Sequence, residues 1–537
     1  MGDFVNYTPG EYAKEHIRIT PTTLADGRDF FYLDDDPEYV SGVKTRELKD
    51  PRQLPYRFSN QLNAAGEEVP YAAPEMRRDP LTGDWIPMAT ARMNRPITAG
   101  PGATAKGNPL AARKPGDPYQ DGEVPDTDYN VVVFENRFPS MVRVPGRSGD
   151  VEYVNGNPLW EKKLAAGRCE VICFDPDEDG LPADLPVSRL RTVVEAWAFR
   201  TAEISKMEGI EQIFPFENHG QEIGVSLAHP HGQVYCYPFI APKMEAELKQ
   251  TEAYHEKTGG NLLKDLMNAE IEAGERIVMR NHSWVAYVPA AARWPLEVHV
   301  APVRDVLTLD ELNDQERWDL AVMYSTLLKR GNAFFDKGDG KGMDLPYIAA
   351  WHQAPIHDKR RENYRLNLQF FSFRRAANKI KYLAGSESGM AAWVSDTTPE
   401  LIANRVGGPA FHTTGLQTIE VGFGNVSGIN VGNHVHLGVF TRLERDERAV
   451  RQCDRQAQAR VVVGVFANQV HTARCGPYAS RFLTVGGAEQ VGRVLHTLVM
   501  RERLNEFNSS HWCFVLWVLL AFSLRCRSVR AHGSAWR

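Results

Sequence analysis

Asn218-His219-Gly220-Gln221-Glu222-Ile223-Gly224-Val225-Ser226-Leu227-Ala228-His229-Pro230-His231-Gly232-Gln233 is the stretch on which the reading of this chain turns. In an extended segment, side chains two apart share a face. His229, His231 and Gln233 therefore point one way, and Pro230, Gly232 and Val234 the other. Pro230 lacks a backbone donor, which suits the first residues of a strand better than a sheet centre. Gly232 has no Cβ and lets a backbone or ligand approach closely.

That face suits phosphoryl chemistry. A neutral imidazole has one nitrogen with a free lone pair, selected by the hydrogen bond its other nitrogen makes. Such a nitrogen attacks phosphorus and splits one hard displacement into two easier ones. Gln233 supplies an amide donor for a non-bridging oxygen, and Ser226 a hydroxyl for the leaving phosphate, both aimed at developing charge. The histidine pair alone is not specific. Two histidines two apart suit metal ligation, or an ordinary polar strand, equally well. His434-Val435-His436 repeats the pair without a glutamine two residues beyond.

Outward from this stretch, Asn130-Val131-Val132-Val133-Phe134 and Glu170-Val171-Ile172-Cys173-Phe174 read as buried strands, as do 284–289, 296–301 and 365–371. Cys169 and Cys173 read as core thiols. Residues 188–207 set Leu190, Val194, Trp197 and Ile204 near one helical face, with Gly209 as a stop. A second helix starts at Asn313, where Glu316 completes a capping box and Leu320, Tyr324 and Leu327 face inward. Short strands interrupted by single helices predict an α+β fold with a mainly antiparallel sheet. Residues 1–75, polar and turn-rich, read as an extension draped over a domain.

The 537 residues carry a net charge of -6 with 43% apolar and 24% charged residues. These are values of an ordinary globular protein, and they argue against nucleic acid as a partner. Seven scattered cysteines and a start without an apolar run predict a reduced, cytoplasmic setting. Residues 409–537 differ, with 15 arginines against 8 acidic residues. The apolar run Trp512 to Phe522 has 11 residues, too short for the roughly 20 that span a bilayer. Glycines 422, 424, 428 and 432 lack the Gly-Lys-Ser/Thr of a phosphate loop. Segment 406–537 therefore reads as a tail outside the working enzyme.

The full string Gly224-x-Ser226-x-x-His229-Pro230-His231-Gly232-Gln233 resembles the active-site motif of galactose-1-phosphate uridylyltransferases, members of the histidine-triad-like superfamily. The resemblance runs from about Asp26 to about residue 405. It implies two similar halves, 76–240 and 241–405, around a mainly antiparallel sheet with flanking helices. It also implies that His231 is the nucleophile, that Gln233 contacts the transferred phosphate, that Asn218 and Gly224 help hold phosphates, and that Ser226 sits beside the leaving group. Arg78-Asp79-Pro80-Leu81-Thr82-Gly83-Asp84-Trp85 resembles the family's opening strand and turn, and Arg92 and Arg95 follow where the family places arginines near the nucleotide. Phe134-Glu135-Asn136-Arg137-Phe138-Pro139 resembles the nucleotide-binding turn, with Asn136 on base or ribose and Phe138 packed on the base. Lys381-Tyr382-Leu383-Ala384-Gly385-Ser386-Glu387 stands in the place of the sugar-phosphate segment. There Lys381, Tyr382 and Glu387 are implied to complete a site across a homodimer interface. Ser386 departs from a common tyrosine, and Trp393 from a glutamine of some members.

The family's metal ligands are where this chain departs most. Asn108-Pro109-Leu110-Ala111 replaces the zinc cysteines and Glu178 the zinc histidine, so only His229 remains, counted here with the substrate-binding residues. One ligand does not make a tetrahedral zinc site. Of an iron-type set, Glu247 and His352 survive, while Asn367 and Gln369 replace a His-x-His pair. No zinc, iron or other cofactor is expected. The implied reaction is ping-pong transfer of UMP from UDP-glucose to galactose 1-phosphate. Alternatives are a superfamily transferase or phosphorylase using another nucleotide, a hydrolase, or a non-catalytic nucleotide-binding protein.

Overall fold

Runs of β-branched and aromatic residues fit a pleated, buried surface, and here they assemble one large sheet. The structure, a computed structural model, describes residues 3–4, 17–62, 66–94, 108–112, 122–126, 128–147, 149–225, 227, 229–335, 342–407, 460–463 and 483–486. The chain divides into two units, 1–411 and 412–537. In the second, Arg460–Val463 pairs antiparallel with Leu483–Gly486. The readings made above on glycines 422–432, His434, His436 and Trp512–Phe522 lie outside the described residues.

In the first unit the strands are Arg18–Thr23 (β1), Asp29–Asp34 (β2), Val131–Glu135 (β3), Arg168–Cys173 (β4), Gln212–His219 (β5) and His231–Tyr237 (β6), with helix Val187–Ile204 (α1) between β4 and β5. Helices Pro242–Thr258 (α2) and Leu262–Ala273 (α3) then precede strands Ile277–Arg280 (β7), Trp284–Tyr287 (β8) and Leu296–Pro302 (β9). Helix Asp314–Phe334 (α4), strands Tyr347–His352 (β10) and Asn367–Ser372 (β11), and helix Pro399–Gly407 (α5) follow, while Glu75–Arg78, Trp85–Met88, Glu152–Tyr153 and Glu161–Leu164 form a separate four-stranded sheet. The large sheet has 12 strands in the order Asp3–Phe4, β7, β8, β9, β11, β10, β5, β6, β4, β3, β2, β1. Asp3–Phe4 joins β7 in parallel. The remaining neighbours are antiparallel.

The order contains a repeat. β3, β4, α1, β5, β6 and β8, β9, α4, β10, β11 follow the same strand-strand-helix-strand-strand sequence. They meet at a seam where β5 pairs with β10, Phe216 opposite Ala350 and Asn218 opposite Ile348. The helical faces read from sequence are buried as expected: Leu190, Val194, Trp197 and Ile204 on α1, and Leu320, Tyr324 and Leu327 on α4, share one core. Trp197 meets Tyr324 edge-on at 5.8 Å and Trp351 of β10 at 5.6 Å. The Asn313 capping box is formed in both directions.

The N-terminal segment differs from the sequence reading. Instead of lying over the domain, β1 and β2 extend the sheet beyond β3. The alternation Phe30, Tyr32 buries one face, with Phe30 stacked on Phe134 at 5.6 Å. Buried ion pairs then fasten the segment. Arg28 bonds Asp26, Glu123 and the Glu135 carbonyl. Arg168 of β4 bonds Asp29 and Glu170.

Candidate active site

β6 begins at His231, held between β4 and β5 with Cys173 opposite His231, Val171 opposite Gln233, and Glu217 opposite Gly232. Along it, His231, Gln233 and Tyr235 are half-exposed while Gly232, Val234 and Cys236 are buried, the alternation expected of a strand. Position 232 leaves little room for a side chain. A Cβ there would stand 3.0 Å from the Phe174 ring and 3.2 Å from the Phe216 carbonyl oxygen. The close approach is thus the sheet's own neighbours.

His231 donates from Nδ1 to the main-chain carbonyl of His229 at 2.7 Å. With Nδ1 carrying the proton, Nε2 keeps its lone pair. His231 and Gln233 line an open cleft together with Glu123, Asn136, Phe138 and Leu227. The turn after β3 supplies Asn136 and Phe138. Asn136 donates its N–H to the Cys169 carbonyl, and its Oδ1 accepts from the Phe138 N–H, both at 2.8 Å. Arg92 donates to the Tyr235 hydroxyl at 3.0 Å, placing it at the end of the His231 face.

His229 does not line the cleft. Its ring is buried, and both nitrogens have partners. The Asn108 amide lies 3.1 Å from Nδ1, and the Tyr129 hydroxyl 2.8 Å from Nε2. Asn108 Oδ1 already accepts from the Leu110 N–H, so its NH2 faces the histidine. This assigns His229 a lone pair on Nδ1 and a proton on Nε2, with Tyr129 donating onward to the Asp175 carbonyl at 2.8 Å. Burial, with His231 nearby, pushes the His229 imidazole down to about 3.

Beside the motif strand, Glu217 is fully buried and accepts from the Tyr324 hydroxyl at 2.5 Å and from Tyr347. Burial raises its carboxyl above the usual range against the pull of those bonds. The three described cysteines, Cys169, Cys173 and Cys236, are free and buried, and burial pushes their thiols up.

In the second half, the surviving Glu247 accepts from His352 Nδ1 at 3.0 Å, Tyr364 at 2.5 Å and Gln369 Nε2 at 3.3 Å. Lys243 donates to Gln369 Oε1 at 2.5 Å. Burial alone would raise the Glu247 carboxyl, but His352, Lys243 and Tyr364 outweigh it and hold it far below the carboxylate range. Among the described residues, no three His, Cys, Asp or Glu side chains converge as a metal cluster.

The structure brings His231, Gln233, Asn136 and Phe138 together. Asn218 lies on β5 and Gly224, at φ 76, caps the turn before the motif; neither lines the cleft. Ser226 and Arg95 lie outside the described residues. Lys381, Tyr382 and Glu387 stand away from the cleft lining: Lys381 is buried against the Val394 carbonyl, Asp396 and Glu387, while Tyr382 is 80% exposed. Trp393 packs edge-on to Trp294 at 4.8 Å. Sequence reasoning missed Glu123 and Leu227 as lining residues. Nothing in the turn Gly122-Glu123-Val124-Pro125 marks its carboxylate as anything but a surface charge.

Residues 63–241 match the family model described as galactose-1-phosphate uridyl transferase, N-terminal domain, and residues 247–403 match the corresponding C-terminal domain. A galactose-1-phosphate uridylyltransferase of Streptomyces lividans is 38% identical over 360 residues, covering 66% of this chain and 87% of that protein. One of Thermotoga maritima is 29% identical over 335 residues, covering 62% and 97%. A solved uridylyltransferase structure superposes with a TM-score of 0.52 at 30% identity, covering 62% of this chain and 97% of the other.

Proposed function

The chain belongs to the galactose-1-phosphate uridylyltransferase family and is a nucleotidyltransferase, and from that premise we infer that it moves UMP from UDP-glucose to galactose 1-phosphate through His231. One observation carries the mechanism: the His229 carbonyl accepts from His231 Nδ1–H, which leaves Nε2 as the nucleophile at the cleft. Nε2 attacks the α-phosphorus of UDP-glucose, the P–O bond to glucose 1-phosphate breaks, and the uridylyl group stays on nitrogen. The imidazole ring is then cationic. Its charge is spread toward the carbonyl that Nδ1–H already touches, with no reorganisation at the moment of reaction. A phosphate oxygen of galactose 1-phosphate next attacks the same phosphorus, UDP-galactose leaves, and neutral His231 is restored. Gln233 donates to the non-bridging oxygens in both steps. Ser226 is assigned to the leaving phosphate and Arg92 and Arg95 to the nucleotide; Asn218 and Gly224, which do not line the cleft, are left without a direct contact to the diphosphate.

The reading includes no resident metal. Asn108 and Tyr129 take both nitrogens of His229, the one survivor of the family's zinc set. Around Glu247, the amide of Gln369 and the ammonium of Lys243 occupy the positions where a cation would balance the carboxylate. The residues present do not fit either metal, and no step runs through one. The reading also includes a homodimer in which the 381–387 segment serves the partner's cleft; Tyr382 and Met390 are exposed there, while Lys381 and Glu387 are paired with each other within the chain. A cytoplasmic setting accords with the free thiols.

The test is to incubate the protein with UDP-glucose labelled at the α-phosphate, quench in alkali, and map the labelled peptide. Label on the His231 peptide, discharged by galactose 1-phosphate, is the expected result. Label only with another nucleotide sugar would keep the mechanism and change the donor. Discharge by water alone would make the protein a hydrolase.

A further inference from the structure

Glu123 is a buried carboxylate with one oxygen hydrogen-bonded and the other held only by a longer ion pair. It is 6% exposed and lines the cleft that holds His231. Oε2 accepts from Arg28 Nη2 at 2.6 Å, and Arg28 is itself 1% exposed and locked by Asp26 and the Glu135 carbonyl. Oε1 accepts no hydrogen bond among the described residues, and the Arg137 guanidinium stands 3.9 Å away. Oε1, held only by that longer ion pair, is the carboxylate oxygen left to accept a further donor, and Glu123 lines the cleft.

An ionised carboxylate only accepts, and it repels a phosphate. It must therefore meet a part of the nucleotide that donates. Uridine has three donors, the N3–H of the base and the two hydroxyls of the ribose. The flat base suits the apolar walls formed by Phe138, Val171, Leu110 and Leu227. Glu123 lies instead beside Arg137, and both line the cleft with Asn136. We propose that Glu123, held by Arg28 from the N-terminal hairpin, accepts a hydrogen bond from the ribose 2′-hydroxyl and makes the cleft select ribonucleotides over deoxyribonucleotides. This rests on the nucleotidyl-transfer reading above. It extends the site to Arg28, which lies before the region matched by the family models.

The experiment measures calorimetric binding of uridine 5′-monophosphate, 2′-deoxyuridine 5′-monophosphate and 3-methyluridine 5′-monophosphate to the full chain and to Glu123→Gln. The wild-type chain is expected to prefer the ribonucleotide by roughly 10- to 100-fold, the range for a hydrogen bond to a charged group. Glu123→Gln is expected to lose most of that preference through weaker ribonucleotide binding, with deoxyuridine monophosphate bound as before, which also reports an intact fold. Three results overturn the proposal: a variant that keeps the preference, a loss shared equally by all ligands, or a variant effect that falls on the methylated base alone. A wild-type chain that binds none of the three overturns the nucleotidyl-transfer reading as well.

Discussion

Replacing His231 with asparagine keeps a polar side chain of similar reach and removes the nucleophilic nitrogen. Transfer is expected to fall by roughly 10⁴-fold or more, as when a covalent nucleophile is deleted, with an unchanged circular dichroism spectrum. The neighbouring histidine behaves differently. His229 serves the nucleophile through its carbonyl, while its ring serves Asn108 and Tyr129. Tyr129→Phe leaves the buried Nε2–H without an acceptor, which costs about 1–3 kcal/mol. Denaturant unfolding should register that loss, with turnover less affected than by His231→Asn. At this scale the sequence made the face legible, because alternation along a strand is local. It did not reveal what holds the rings. Asn108 and Tyr129 lie 121 and 100 residues from His229, and no local pattern encodes such distant partners.

Helix α4 starts where Asn313 and Glu316 exchange backbone bonds of 2.9 Å, a pairing visible from residue types alone. Asn313→Ala should destabilise by about 1 kcal/mol and leave transfer unchanged, since the cap lies outside the cleft; a thermal melt alongside an activity assay checks both. Helices α2 and α3 were not anticipated. In α2 only Met244, Leu248 and Thr251 are buried, so its apolar stripe is too narrow to stand out. The ends were nevertheless written in the chain as Gly259 and Gly274, both left-handed with φ of 72 and 70. The β1–β2 hairpin was missed for another reason. Its pairing partner, β3, lies about a hundred residues on, and its buried Arg28 meets a carboxylate, Glu123, just as distant in sequence.

Across the molecule as a whole, His229 and Glu247 are among the groups that make stability depend on acid. The His229 imidazole is held neutral down to about pH 3 in the fold, while an unfolded histidine takes its proton near 6.5. Stability contributed by the neutral form is therefore present above pH 6.5 and lost as pH falls below it, at up to about 1.4 kcal/mol per pH unit. Glu247, held below its ordinary value, contributes stability above about pH 4.5 that is lost as pH falls further. Urea titrations from pH 7 to 4 should give a shallower decline for His229→Gln than for the wild type, though the variant starts less stable. A chain ending at Phe411, the end of the first unit, is expected to retain transfer, because the family match stops at residue 403; loss of activity would show that residues 412–537 matter. The duplicated halves also bear on how the chain reaches its native state. Within each half, consecutive strands and helices lie close in sequence, so each can assemble early from near neighbours. The seam between β5 and β10 joins residues well over a hundred positions apart, Phe216 with Ala350, so closing it costs more chain entropy, by roughly 0.6 kcal/mol per doubling of separation, and non-local pairing of this kind is slow. Refolding should therefore run in two stages, with the halves forming first and their zippering setting the slow rate. Until that final step, two complementary strand edges stand open, and a crowded solution of refolding chains will tend to exchange halves between molecules before each closes on itself.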